Sequence, residues 1–299
     1  MDIKSKIILI YGPTASGKSK FAVALAKKVS GEIINADSMQ VYKQLNILTA
    51  RPTIKEQKKI KHHLYGIVSV RNSFSTGHWL KLAIKKIYEI KKKKKVPILV
   101  GGTGLYFNSL VNGLVKIPNI PIKFRNRIRL MQKKDGQEKF FEKLLKIDPL
   151  VRNKINKNDV QRSIRAYEIK SYSKKSMYKW LSHTKPKFED DDFLKLYLNF
   201  DRNKLLEKIE KRVSKMIKLG AINEVKKFKK LKSPNKSSVN KVIGIQELTN
   251  FLEKKIRLNE AKELIFIKTR QYAKRQTTWA RSKMLSWIKV DPKKTFRLS

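Results

Sequence analysis

Gly12-Pro13-Thr14-Ala15-Ser16-Gly17-Lys18-Ser19 satisfies G-x-x-x-x-G-K-[S/T] at every fixed position. Residues of these types at this spacing hold phosphate. Gly12 and Gly17 let the backbone wrap an anion, and the loop N–H groups point inward at it. Lys18 adds a point charge, and Ser19 sets a hydroxyl where a Mg²⁺ ion sits. Asp37 follows a second apolar run, one helix later. An acid at the carboxyl end of a buried strand there projects over the same crevice. Asp37 and Ser38 also suit a helix N-cap, so that structural role stays open. Further on, Gly101-Gly102-Thr103-Gly104 closes a third apolar run. Its glycines admit a ligand close to the backbone, and Thr103 supplies a hydroxyl. Three strand ends, at Gly12, Asp37 and Gly101, therefore converge on one crevice.

The elements that position these groups read as α/β. Ile7-Ile8-Leu9-Ile10 is β-branched enough for a buried strand, and an Ala- and Lys-rich helix follows the loop over 21–29. Strands are expected over 32–36 and 96–100, with a helix over 74–95 ending in five lysines that suit a helix C-terminus. Pro118 and Pro121 mark a change of character, and 123–185 is strongly basic with helical periodicity. Residues 194–200 alternate like a strand returning to the sheet. Asp201 is an expected N-cap, Ser233-Pro234-Asn235 a loop, and a further helix is expected to carry Lys241 and 244–247. A last helix spans about 259–284, with Arg270 and Lys274 sharing a face at i, i+4. Phe266, Tyr272 and Trp279 are expected to pack that helix rather than stack on bases. The domains expected are a P-loop core over 1–117 and 194–299 and a helical insertion over 118–193.

The 299 residues include 71 Lys and Arg against 24 Asp and Glu, a net charge of +47. A field of that sign steers a polyanion, although lysine is scattered along the whole chain. With 40% hydrophobic residues the chain can build cores. The absence of cysteine removes disulfides, thiolate zinc sites and Cys nucleophiles. The N-terminus runs straight into the first strand, and no apolar run approaches the ~20 residues of a membrane span. A cytoplasmic protein without membrane contact is the expectation.

Seven segments, in order along nearly the whole chain, resemble the bacterial tRNA dimethylallyltransferase family, the isopentenyltransferases that modify adenosine beside the anticodon. They are G-P-T-A-S-G-K-S (12–19), A-D-S-M-Q-V-Y (36–42), H-H-L (62–64), V-G-G-T-G-L-Y-F (100–107), N-D-V-Q-R-S-I-R-A-Y-E (158–168), V-I-G-I-Q-E-L (242–248) and T-R-Q-Y-A-K-R-Q-T-T-W (269–279). The phosphate loop is shared with many enzymes; the other segments are far more specific.

The resemblance implies a P-loop-type parallel sheet flanked by helices, with a mostly helical insertion that grips the tRNA anticodon stem-loop. It implies transfer of a dimethylallyl group from dimethylallyl diphosphate to N6 of the adenosine 3′ to the anticodon, releasing diphosphate, with Mg²⁺ at the loop as cofactor. A monomer is expected, although nothing in the sequence carries that expectation. By position, Asp37 is the implied general base with Thr103 beside it, and the loop holds the diphosphate. The implied tRNA contacts are Asp37, Ser38, Met39, Gln40, Thr103, Arg125, Gln161, Arg162, Ser163, Ile164, Arg165, Lys241, Arg270, Lys274 and Arg275. The chain departs from the family pattern at Leu48 (usually Gly), Arg51 (usually Lys), Lys241 (often Arg) and Ile245 (usually Tyr). Two other readings share the loop: a P-loop kinase of a nucleotide or small metabolite, and a non-catalytic RNA-binding ATPase.

Overall fold

The apolar runs form a six-stranded, wholly parallel sheet in this computed structural model, which describes residues 3–231, 233–234 and 237–292. The strands are β1 (Ile7–Tyr11), β2 (Gly31–Asn35), β3 (His62–His63), β4 (Val96–Gly101), β5 (Phe193–Leu198) and β6 (Ile288–Val290), in the order β3-β2-β4-β1-β5-β6. Helices α1 (Lys18–Lys28), α2 (Ile54–Lys59), α3 (Thr76–Lys92) and α4 (Gly104–Val111) come first. Then follow α5 (Ile122–Ile147), α6 (Val160–Ser173) and α7 (Met177–Leu181), and finally α8 (Arg202–Lys218), α9 (Ala221–Lys230), α10 (Ile245–Leu252) and α11 (Leu258–Lys283).

Both faces of the sheet are covered, which is why its strands read as continuous apolar runs. Ile7, Leu9, Tyr11, Ile34 and Leu99 pack against Trp79 and Ile87 of α3 and Tyr106 and Phe107 of α4. Ile8, Ile10, Ile33, Ile98 and Val100 face Phe21, Ala22 and Leu25 of α1. A third core joins Val41, Leu45 and Leu48 to the inner faces of α8, α9, α10 and α11. Register places Tyr11 opposite Gly101 and Asn35 opposite Val100, so the ends of β1, β2 and β4 lie level.

The chain divides into two compact units, with breaks at Val111/Asn112 and Lys187/Phe188. The composition change places these boundaries at 117/118 and 193/194. The second break falls earlier because Phe188 packs with Phe193 in the sheet's own core. The second unit, Asn112–Lys187, carries 21 Lys and Arg against 6 Asp and Glu, a net +15. Its α5 breaks at Gly136, where φ is 75°. Phe141, Leu144, Val151, Ile155 and Ala166 form its core.

Two local expectations are corrected. No helix follows Asp37: the chain turns, and the Asp37 carboxylate accepts from the Met39 N–H at 2.9 Å. Lys241 lies in a 3₁₀ turn (Ser238–Lys241) outside α10, because Gly244 at φ 105° interrupts helical geometry between them. Asp201 does cap α8, accepting from the Lys204 N–H. Asn235 of the expected loop lies outside the described residues.

Candidate active site

The phosphate loop joins β1 to α1, and Gly17 at φ 89° serves as the helix N-cap, a left-handed conformation natural to glycine. Lys18 folds back, its Nζ donating to the Pro13 carbonyl at 3.0 Å. The first turn of α1 contains no acidic residue, so its dipole is left for an exogenous anion. A crevice of about 290 Å³ opens here, lined by Thr14, Ala15, Gly17, Lys18, Ser19, Asp37, Gly101, Lys208 and Arg212 among others.

Asp37 is held by its neighbours. Its N–H donates to Asn35 Oδ1 at 2.9 Å, and Asn35 Nδ2 donates to the carbonyls of Asp37 (3.0 Å) and Leu64 (3.1 Å). The Asn35 carbonyl in turn accepts from the indole of buried Trp79 at 2.7 Å. Across the sheet end, Thr103 Oγ1 accepts from the Ser38 N–H at 2.9 Å and donates to Ser38 Oγ at 3.2 Å. A loop walls the crevice with Thr49 and Ala50. Gln40 Nε2 donates to the Thr49 carbonyl at 2.9 Å, and the Glu224 carboxylate accepts from the N–H groups of Asn46, Ile47 and Leu48 at 2.7–2.9 Å. Leu48, at the position where the resembling family has glycine, packs over Gly244 inside the helical core. Arg51 Nη1 donates to the Tyr42 carbonyl at 3.1 Å.

The charge balance of the crevice is cationic around one carboxylate. Burial lowers the Lys18 ammonium to about 8, against the pull of Asp37 and with the help of Arg212. Arg212 is lowered by burial and sustained by Asp37. Tyr65 and Tyr272 are raised, first by burial and then by the charge of Asp37, so both phenols stay protonated. Four cationic side chains (Lys18, Lys20, Lys208 and Arg212) and one acid in a small crevice suit an anionic ligand that reacts with a proton-bearing partner.

Of the residues singled out in the sequence, Lys18, Ser19, Asp37 and Gln40 line this crevice, and Thr103 is tied to Ser38 beside it. Arg270, Lys274 and Arg275 are exposed on α11, and Lys241 is exposed on its turn. In the second unit Gln161 and Arg162 are exposed, but Ser163 and Ile164 are buried. Ser163 Oγ donates to the Asp159 carbonyl at 2.7 Å, so these two residues build the unit's interior and are corrected as surface contacts. Arg125 and Arg165 share the buried carboxylate of Glu168 at 3.2 and 3.1 Å. Sequence reasoning missed Arg212, Lys208, Tyr65 and Tyr272. Tyr272 was expected only to pack α11, yet its hydroxyl faces Thr103 and feels the charge of Asp37. The i, i+4 spacing of Lys208 and Arg212 was a usable signal.

A parallel sheet whose first strand feeds a glycine loop and helix, with an acid at the next strand end, defines a P-loop-type α/β protein. The family model described as IPP transferase matches residues 40–283. The chain belongs to the IPP transferase family. It is 68% identical over 292 residues to the tRNA dimethylallyltransferase of Pelagibacter ubique (strain HTCC1062), covering 98% of this chain and 93% of that one. It is 43% identical to the protein of the same name from Rickettsia massiliae (strain Mtu5), covering 96% and 80%. Among solved structures it matches a eukaryotic dimethylallyltransferase acting on tRNA (TM-score 0.83, 30% identity, 96% of this chain and 74% of that one). It also matches the full-length tRNA isopentenylpyrophosphate transferase of Bacillus halodurans (TM-score 0.69, 33% identity, 96% and 90%).

Proposed function

We propose that the protein transfers a dimethylallyl group from dimethylallyl diphosphate to N6 of the adenosine 3′ to a tRNA anticodon. The observation that carries this reading is the pairing of Lys18 and Asp37 in one small crevice of an IPP transferase chain.

The exocyclic amine of adenine is a poor nucleophile, its lone pair drawn into the ring. As its nitrogen bonds the allylic carbon, the carbon–oxygen bond to diphosphate breaks and the oxygen takes the electron pair. Asp37 accepts the N6 proton, with the base withdrawn from the anticodon stack to reach it. The loop N–H groups, Lys18 and Arg212 stabilise the departing anion. Thr103, bonded to the Ser38 N–H and hydroxyl, fixes the turn that presents Asp37. In the second unit, Gln161, Arg162 and the exposed lysines offer contacts to RNA; in the first unit, Arg270, Lys274 and Arg275 of α11 do so independently.

A divalent cation fits this donor set. Among the described residues no group of three or more His, Asp or Glu forms a cage. Ser19 lines the crevice at the phosphate loop and its hydroxyl would hold Mg²⁺ beside the bound diphosphate. When bound, Mg²⁺ would neutralise charge on the leaving diphosphate. Among the described residues no helix is long and apolar enough to cross a membrane.

The direct test incubates the protein and unmodified tRNA with dimethylallyl diphosphate or with ATP, then analyses the nucleosides. Isopentenyladenosine formed with the first donor alone is expected; ATP hydrolysis without base modification would overturn the reading. The Lys18 ammonium adds a pH signature. It is charged below about 8 and sheds its proton above that. Since kcat/KM reports free-enzyme groups, kcat/KM for the diphosphate donor should fall as pH rises past about 8, and Lys18→Ala should remove that limb along with most activity. An alkaline limb unchanged in Lys18→Ala assigns it to another group.

A further inference from the structure

Helix α11 presents Tyr272, Gln276 and Trp279 toward the strand ends at i, i+4, i+7 spacing, with Arg270, Lys274 and Arg275 on its outer side. Each inward residue meets a different part of the glycine turn after β4. The Tyr272 hydroxyl faces Thr103, and the Trp279 indole covers Gly104 so closely that a Cβ there would lie 2.2 Å from Nε1. Gln276 lies between them, 4% exposed. Its Oε1 accepts from the Thr14 N–H of the phosphate loop at 2.8 Å, and its Nε2 donates to the Gly102 carbonyl at 2.8 Å. The helix backbone is pinned at the same residue, since the Tyr11 hydroxyl donates to the Gln276 carbonyl at 2.9 Å. Gly102 leaves room for nothing else: a Cβ there would stand 2.0 Å from Nε2.

We propose that Gln276 is a positioning residue that sets the distance between the two halves of the reaction. One amide spans the loop that holds the leaving diphosphate and the turn that carries Thr103 beside Asp37. The inference rests on the function proposed above for those two groups. The span requires one acceptor and one donor in a fixed order. A primary amide supplies both, and so does a protonated carboxylic acid. An ionised carboxylate satisfies the Thr14 N–H but sets its second oxygen against the Gly102 carbonyl, and a thioether satisfies neither.

This gives Gln276→Glu a behaviour that loss of packing alone would not produce. At about pH 8 the ionised side chain should cost about 10²-fold in kcat/KM for dimethylallyl diphosphate, the scale of an ångström-sized misplacement at a reacting centre. The KM for tRNA should change little. Burial against a carbonyl raises a carboxyl pKa, so the deficit relative to wild type should shrink as pH falls toward about 5.5. Gln276→Met should show a similar deficit with no acid recovery. A Gln276→Glu to wild-type ratio that stays flat with pH, or a loss carried equally by tRNA KM, would overturn the proposal. Calorimetric binding of inorganic diphosphate to wild type and Gln276→Met, both checked by circular dichroism, tests the loop half without catalysis. Weaker binding in the variant is expected, and equal binding overturns the clamp. A wild-type protein that binds diphosphate but transfers nothing to tRNA refutes the proposed function instead.

Discussion

Asp37→Asn is expected to lower kcat by about 10²–10⁴-fold, the usual worth of a positioned general base. Tight tRNA and diphosphate binding should survive. Asparagine keeps the oxygen that accepts the Met39 N–H, so the turn after β2 is retained, and the Asn35 and Thr103 bonds to this turn use the backbone of residues 37 and 38 and the Ser38 hydroxyl, none of them the Asp37 side chain. What disappears is a charge. Asp37 favours the protonated forms of both Lys18 and Arg212. Its removal makes the crevice more cationic overall while easing the Lys18 ammonium further below its ordinary range. The first effect dominates well below the wild-type Lys18 value of about 8, so the comparison is made at about pH 6, where the ammonium keeps its proton even without Asp37. Diphosphate should therefore bind the variant at least as well as wild type. Single-turnover transfer combined with calorimetry separates the two quantities. Near-normal turnover would remove Asp37 as the base, and a large loss of diphosphate affinity would show that it acts through binding instead.

How much of this site was legible in the sequence follows from how local each part is. The phosphate loop is eight contiguous residues whose geometry is dictated by Gly17, so it reads without a fold. Asp37 and Thr103 were legible one step further out, because parallel strands of similar length end level and their carboxyl ends share an edge. Arg212 and Lys208 carry a signal in their i, i+4 spacing on α8, but in a chain with 71 basic residues that signal stands out little. Gln276 and Tyr272 were hidden for another reason. Both lie in a segment dense with arginine and lysine, and only packing shows which residues of that helix turn inward. Glu224, which gathers three N–H groups of the crevice wall from α9, has no local signature at all. The opposite error came from reading a motif as a block. Residues 161–165 form just over one turn of α6, and one turn necessarily points some side chains at the core, here Ser163 and Ile164.

Glu168→Gln sets two electrostatic arguments against each other within the second unit. The Glu168 carboxylate, 1% exposed, is shared by Arg125 and Arg165 at 3.2 and 3.1 Å and approached by Arg129 at 3.6 Å. The three guanidinium side chains remain 35%, 40% and 33% exposed, so each keeps donors for an outside anion. Counting charge alone, deleting a carboxylate from a unit of net +15 should tighten binding to RNA. At contact distance in water that gain is about 1 kcal/mol. Against it stands preorganisation. Glu168 holds three long cations together that would otherwise repel and splay, and ordering each on binding costs about 0.5–1.5 kcal/mol, or about 1.5–4.5 for three. The second effect is the larger, so Glu168→Gln should weaken tRNA binding by about tenfold or more, although it raises the net charge. Wild-type affinity should itself fall steeply with salt, by about 0.9 log unit per decade of salt for each duplex phosphate neutralised. A filter-binding series over salt reads both quantities, and tighter binding by Glu168→Gln would refute the preorganised cluster. Breaking a buried ion cluster also costs stability, about 3–5 kcal/mol in comparable cases, so a charge-neutral companion is needed. Replacing Arg125, Arg129 and Arg165 with lysine preserves every charge and removes the planar forks. That variant should also lose affinity, because the cluster's worth lies in the fixed geometry that Glu168 imposes and not in the number of charges it gathers.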